Sequence, residues 1–201
     1  MAEDPIALRA NAQNARKNKD YLNACALYSS LLELEADEEP MTLLVCRDHI
    51  HYAECLLYSQ SNEINDEDLE IAWETLEKAR YGYESMADSV DKFSGLIDVH
   101  DIQGEITLKN MNYSEAEHQF DESAIIGLAH PKVSWRLPVN SLFCKSTAQK
   151  FMGKFQNATN TLTQAIDLIN RASLATSDPQ EKETMKLFIE DLESAKSAIP
   201  Q

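Results

Sequence analysis

Three acidic residues in one short stretch, Asp98, Asp101 and Glu105, stand three and four positions apart, the spacing that puts side chains on one face of a helix. Like charges held that close repel unless a cation fills the gap, so the pattern reads as a seat for a basic group. The simpler explanation is an ordinary solvated face. A second acidic stretch at 59–70, SQSNEINDEDLE, carries Glu63, Asp66, Glu67, Asp68 and Glu70. At a helix start such carboxylates either cap free N–H groups or gather a cation. Glu33, Glu35, Asp37, Glu38 and Glu39 form a third acidic edge, read as solvation. Arg9, Arg16 and Lys17 make the first helix basic, suited to an acidic segment of this or another chain.

Other chemistry is poorly provided for. His49 and His51 are two apart, so on a helix they point roughly 200° from each other, and neither pairs with Cys46 or Cys55 as a joint metal ligand. Cys144 has no evident His and orienting acid to make it a nucleophile. No Gly-rich phosphate loop is present, and Gly153 reads as a turn glycine. The four cysteines form no C-x-x-C pair, which suits reduced thiols. No enzyme, metal or cofactor is expected. The chain contains 18 Lys+Arg against 34 Asp+Glu, a net charge of -16. Such a surface is repelled by nucleic-acid phosphates and anionic lipid, so the expected partners are basic proteins, with no direct nucleic acid and no membrane. No apolar stretch resembles a signal peptide or a membrane span, and a soluble intracellular protein is expected.

The elements that position these residues come from a repeat. NKDYLNACALYSSLLEL from Asn18, NMNYSEAEHQFDESAII from Asn110 and MGKFQNATNTLTQAIDL from Met152 share one pattern. Each has an aromatic (Tyr21, Tyr113, Phe155), Ala three residues on (Ala24, Ala116, Ala158), and a large residue four further (Tyr28, Phe120, Leu162). A fourth copy, EDLEIAWETLEKAR, keeps Ala72, Leu76 and Ala79 with Leu69 in the aromatic slot. Ala fits where two helices cross closely, and the large residue one turn later fills the adjoining groove. Upstream of each copy a second amphipathic segment offers its own small residue: Ala12, Ala53, Gly104 or Ser146. Helix, turn, helix, repeated, is the hairpin of a tetratricopeptide repeat (TPR).

The expected fold is therefore all-α: a TPR superhelix of four hairpins with a C-terminal capping helix, one domain over 1–201. The repeats fall at about 5–36, 41–86 with the acidic insert 59–70, 90–129 and 134–175. The helices are expected at 5–17, 21–36, 41–59, 67–86, 90–109, 113–129, 134–151, 155–175 and 179–197. The last is marked by Asp178 as N-cap, Pro179 at the first position and Glu181 at the third, and it covers the apolar face left by the final repeat. The matching alanines lie 48, 44 and 42 residues apart, longer than the usual repeat of about 34. In repeat 2 the step from Leu56 to Ala72 is 16 residues where 9 is the rule, so about seven are inserted.

A four-repeat array interrupted by acidic sequence in its second repeat resembles the nuclear autoantigenic sperm protein (NASP) family of histone chaperones. DLEIAWETLEKAR, with Ala72, Trp73, Glu74, Leu76 and Ala79, is similar to the family's Ala-Trp-Glu helix after the insert. IQGEITLKNMNYSEAEHQF is similar to its Gly-Glu helix and Asn-Tyr turn, and AIDLINRA to its last hairpin helix. The resemblance spans about residues 8–198. It implies a histone chaperone that shields basic core histones before deposition on DNA. The partners would be above all the arginine-rich pair, histones three and four, with linker histone and a homodimer as further options. The location would be the nucleus and cytoplasm. It implies that Glu105, the acid after the Gly, holds an arginine-rich histone segment. The groove would comprise Asp98, Asp101, Glu105, Asn140 and Phe143, the last in the place of a groove aromatic. Here Lys109 and Asn140 replace acids of the family, and the insert is short.

Within the hairpin geometry the first helix of each repeat lines the groove. The slots are Arg47, Ile50, Glu54, Leu57 and Tyr58 in repeat 2, and Asp98, Asp101, Glu105, Leu108 and Lys109 in repeat 3. In repeat 4 they are Asn140, Phe143, Thr147, Lys150 and Phe151. A clamp for a C-terminal carboxylate, of the kind that serves Hsp90-type ligands, is disfavoured because its slots hold Arg9, Gln13, His51, Asp98 and Ile102. The alternative function is a generic TPR adaptor binding a helix or peptide of a non-histone partner.

Overall fold

Small residues dictate where the helices meet. In the computed structural model, which describes residues 4–36, 40–59 and 65–200, Ala12, Ala24, Ala53, Ala72, Ala116 and Ala158 have no exposed surface. Tyr28, Leu76, Phe120 and Leu162, one turn beyond the second-helix alanines, are equally buried. Among the described residues the chain forms nine helices and no strand. They are α1 Pro5–Lys17, α2 Tyr21–Leu34, α3 Leu43–Ser59, α4 Asp66–Ser85, α5 Val90–Lys109, α6 Tyr113–Ala129, α7 Arg136–Phe151, α8 Phe155–Ala175 and α9 Pro179–Ser197. The expected helices are all present, with ends differing by at most two residues. None of the described helices is long and apolar enough to cross a membrane.

The turns inside three hairpins share one backbone device. Lys19, Met111 and Gly153 all have positive φ, at 61°, 57° and 71°. In each, the left-handed residue donates its N–H to the carbonyl three back and the next residue to the carbonyl five back: Lys19 to Arg16 and Asp20 to Ala15, Met111 to Leu108 and Asn112 to Thr107, Gly153 to Lys150 and Lys154 to Gln149. This is the Schellman ending, which satisfies carbonyls the helix leaves open. Repeat 2 has no such ending among its described residues, and Glu63 of its insert lies outside them, as do Asp37, Glu38 and Glu39.

The helices gather in two compact units, Met1–Ile106 and Thr107–Gln201. In the first, α1 packs on α2 and α2 on α3 around Leu8, Ala15, Leu31 and Cys55. Gly95 of α5 lies so close to α4 that a Cβ there would come within 2.1 Å of the Tyr83 ring. Arg9 ties α1 inward: its Nε donates to Asp48 Oδ2 at 2.6 Å and its Nη2 to Glu35 Oε1. Asp48 has no exposed surface and only 8% of the Glu35 side chain is open. Glu35 was expected from sequence on a solvated edge and is not there, because the basic face of α1 draws it into a buried bridge.

In the second unit, Ser123 and Ser141 share a hydrogen bond of 2.8 Å where α6 meets α7, and Thr161 on α8 donates to Gln149 on α7 at 2.9 Å. The closing helix α9 adds Met185 and Leu192, and the segment after it adds Ile199, to the core formed with Ala165, Ile166 and Ile169, as a solenoid cap must. Asp178 caps it by accepting from Gln180 N at 2.9 Å. Glu181 does not reach back to the cap. It accepts from Trp135 Nε1 at 2.8 Å and from both Arg136 terminal nitrogens at 2.9 Å, fastening α9 to the start of α7.

Candidate protein-binding face

The acidic pattern of α5 falls on a face made by the first helices of the hairpins in the first unit. Arg47 of α3 pairs with Asp91 of α5 at 2.7 Å, Tyr58 of α3 donates to Glu105 of α5, and Arg16 of α1 pairs with Glu54 of α3. These bonds place α1, α3 and α5 side by side with Asp98, Asp101, Glu105 and Glu54 between them. Arg16 and Arg47 are held at the edges of this face by Glu54 and Asp91.

Asp98 carries the largest mark of these neighbours. It is exposed and forms no ion pair among the described residues, yet the surrounding protein crowds its carboxyl on the remaining sides. That partial desolvation, with Asp101 and Glu54 adding repulsion, pushes it up to about 7 from an ordinary 3.8, against the pull of Arg47 and Arg16. Burial also raises Glu105, with Glu54 contributing and the Tyr58 hydroxyl opposing. Tyr58 is in turn raised by burial and by the Glu105 carboxylate that accepts its proton. Asp101 is 91% buried, its relative exposure being 9%.

The groove slots are only partly realised. Ile50 and Leu57, expected on the groove, are core residues with exposures of 5% and 3%, because the repeat-2 helix turns its apolar stripe inward at those positions. Arg47, Glu54 and Tyr58 remain on the face. In the second unit Phe143 and Phe151 of α7 are exposed at 42% and 61%, and Phe151 stacks on Tyr113 at 4.9 Å with ring planes 13° apart. Asn140 is exposed on the same helix. Leu108 packs with Ala116, Phe120 and Ala148.

At the start of α4 the N-cap is Asn65, whose side chain accepts from Glu67 N at 3.1 Å. Asp66, Glu67 and Asp68 occupy the first turn, where they favour the helix dipole. Asp66, Glu67 and Glu70 are exposed and Asp68 is half-buried. His49 donates from Nδ1 to the Val45 carbonyl at 2.9 Å. His51 lies 3.3 Å from the Tyr28 hydroxyl and is pushed down to about 4 by burial and by Arg16 and Arg47. Both imidazoles are neutral at pH 7. With Arg9 bridged, His51 neutral and Asp98 acidic, these slots make no clamp for a carboxylate. Among the described residues no three His, Cys, Asp or Glu side chains converge as a metal site.

The sequence pointed to α5 but missed the Arg9–Glu35–Asp48 bridge. Its one signal was Asp48 itself, a charge standing among Val45, Cys46 and Ile50 at core spacing.

No family model matches the chain, and no curated protein matches it. Solved structures do. One, described as a kinesin light chain of Podosopora anserina with nearly identical TPR-like repeats, has a TM-score of 0.63 at 15% identity over 98% of this chain and 90% of its own. A single-substitution variant of it gives 0.60 at 14%, over 98% and 99%. At that identity the likeness concerns the fold alone, and the fold is all-α, built of TPR-like repeats.

Proposed function

We propose that the chain binds other proteins through the first-helix face, and that its ligand is a basic segment of core histones, which it shields until DNA competes for them. The observation that supports this most strongly is the pair Asp98 and Glu105 on one face of α5, whose charged forms are disfavoured by burial and by neighbouring carboxylates. Solenoids of helical hairpins present such faces to partner chains. An arginine-rich helix or tail would relieve the repulsion while its guanidinium groups take up carboxylates in forked geometry. The net charge of -16 would speed encounter, and contacts on the face would give selectivity. The resemblance of Ala72-Trp73-Glu74 and Glu105 to NASP positions favours histones three and four as the ligand.

The test is gel filtration of the chain with purified core histones at about 0.15 M ionic strength. A stoichiometric complex is expected. Separate elution of the two leaves only a protein-binding scaffold for some other ligand.

A further inference from the structure

On the far side of α3 from the acidic face lies a cleft of about 730 Å³. Val45, His49 and Tyr52 of α3 line it. At 100° per residue they point about half a turn away from Arg47, Glu54 and Tyr58. From α2 come Leu32 and Glu33, and from the connection to α3 come Glu35 and Met41. From α4 come Ile71, Glu74, Glu77, Lys78 and Tyr81, one helical stripe.

Two features give this cleft a chemistry. Its walls are apolar and aromatic, with Tyr81 and Ile71 left exposed at the rim at 73% and 37%. Its charges are lopsided: Lys78 is the one cation among the described lining residues, against Glu33, Glu35, Glu74 and Glu77. Neutral His49 adds none, since its pKa is lowered by burial. Glu77 is held by Arg80 at 2.7 Å, from outside the lining. Glu35 is different. Arg9 serves two carboxylates at once, and Glu35 Oε2 is buried with no hydrogen-bond partner, as is Asp48 Oδ1. One guanidinium shared by two buried carboxylates leaves each with an oxygen whose hydrogen-bonding capacity is unmet, which burial makes costly.

We propose that this cleft is a second binding site, which takes the cationic side chain of an arginine flanked by apolar residues in a partner protein. The guanidinium enters along Tyr52 and Met41 to the Glu35 carboxylate, its stem covered by Ile71 and Tyr81, while the rim acids Glu33 and Glu74 favour its approach. The site is independent of the acidic face and of what binds there.

The experiment is a methyl NMR titration of the full chain with a blocked peptide, acetyl-Leu-Arg-Ile-Tyr-amide, and its counterpart carrying citrulline, which has the shape of arginine without the charge. Saturable shifts at Met41, Val45 and Ile71 are expected, with the citrulline peptide about ten-fold weaker. Glu35→Gln should weaken the arginine peptide to the citrulline level and leave the citrulline peptide nearly unchanged, the signature of direct coupling. Should that variant lose its fold, Glu33→Lys/Glu74→Lys, which leaves the Arg9 bridge intact, decides: a several-fold loss of the arginine peptide alone is expected. Equal affinity of the two peptides, or no saturable shift at these methyls, overturns the proposal. So do shifts of the same methyls on diluting the protein alone, since a second copy would then be the occupant.

Discussion

With its carboxyl pushed up to about 7, Asp98 is half protonated at neutral pH, and a proton and an incoming cation compete for it. The unfolded chain has Asp98 near 3.8, so the folded state holds the proton more tightly. The stability this gives is complete below about pH 4 and is lost as pH rises through 7. Asp98→Asn should therefore raise the melting temperature at pH 8 and leave it unchanged near pH 4. Because water reaches the group, the gain is about 1 kcal/mol or less; thermal melts at the two pH values check it, and a lower melting temperature at pH 8 would contradict the assignment. For a cationic ligand the sign reverses. Affinity should fall as pH drops from 8 to 6, with proton release on binding, measurable by calorimetry in buffers of different ionisation heat. Arg9 belongs to the same scale. Arg9→Ala would strand Asp48, which has no exposed surface, and should cost about 3–5 kcal/mol in urea unfolding.

Among elements, the hairpin turns invite a direct check. Lys19 and Met111 adopt the left-handed conformation that Gly153 adopts in repeat 4, at a cost of about 1 kcal/mol for a residue with a Cβ. Met111→Gly should stabilise by about that much and Gly153→Ala should destabilise by a similar amount, both read from denaturant midpoints. Alanine at the crossings leaves no room, so Ala158→Leu should cost about 1–3 kcal/mol. Such positions were legible in the sequence because packing repeats them: one small residue and one large residue four on, in each second helix. The left-handed turns at Lys19 and Met111 were not, since neither is the glycine that normally announces one. Ile50 and Leu57 were misplaced onto the groove because the slots assumed a regular repeat, whereas their apolar side chains go to the core. The bridge from Arg9 to Glu35 and Asp48 joins residues 26 and 39 positions apart, and no local pattern encodes such a pairing. Asp98, Asp101 and Glu105 were legible because their spacing is helical. Their company of Glu54, Arg16 and Tyr58 required the packing of three helices.

For the whole molecule, charge sets the terms of encounter. A net charge of -16 creates a field that attracts basic partners over about a Debye length. Stopped-flow association with histones should slow about ten-fold or more between about 0.05 and 0.5 M salt, while dissociation changes less because the contacts are local. The field alone would make every surface acid equivalent, whereas the account assigns selectivity to one face. The deciding measurement is calorimetric titration of histones three and four into three proteins at about 0.15 M ionic strength: the unaltered chain, Asp101→Lys/Glu105→Lys, and Glu183→Lys/Glu190→Lys on the exposed side of α9. The two variants change net charge equally. The account predicts that the α5 pair weakens binding about a hundred-fold while the α9 pair leaves it within about two-fold. Equal losses in the two would contradict it, for the acidic face would then be no site.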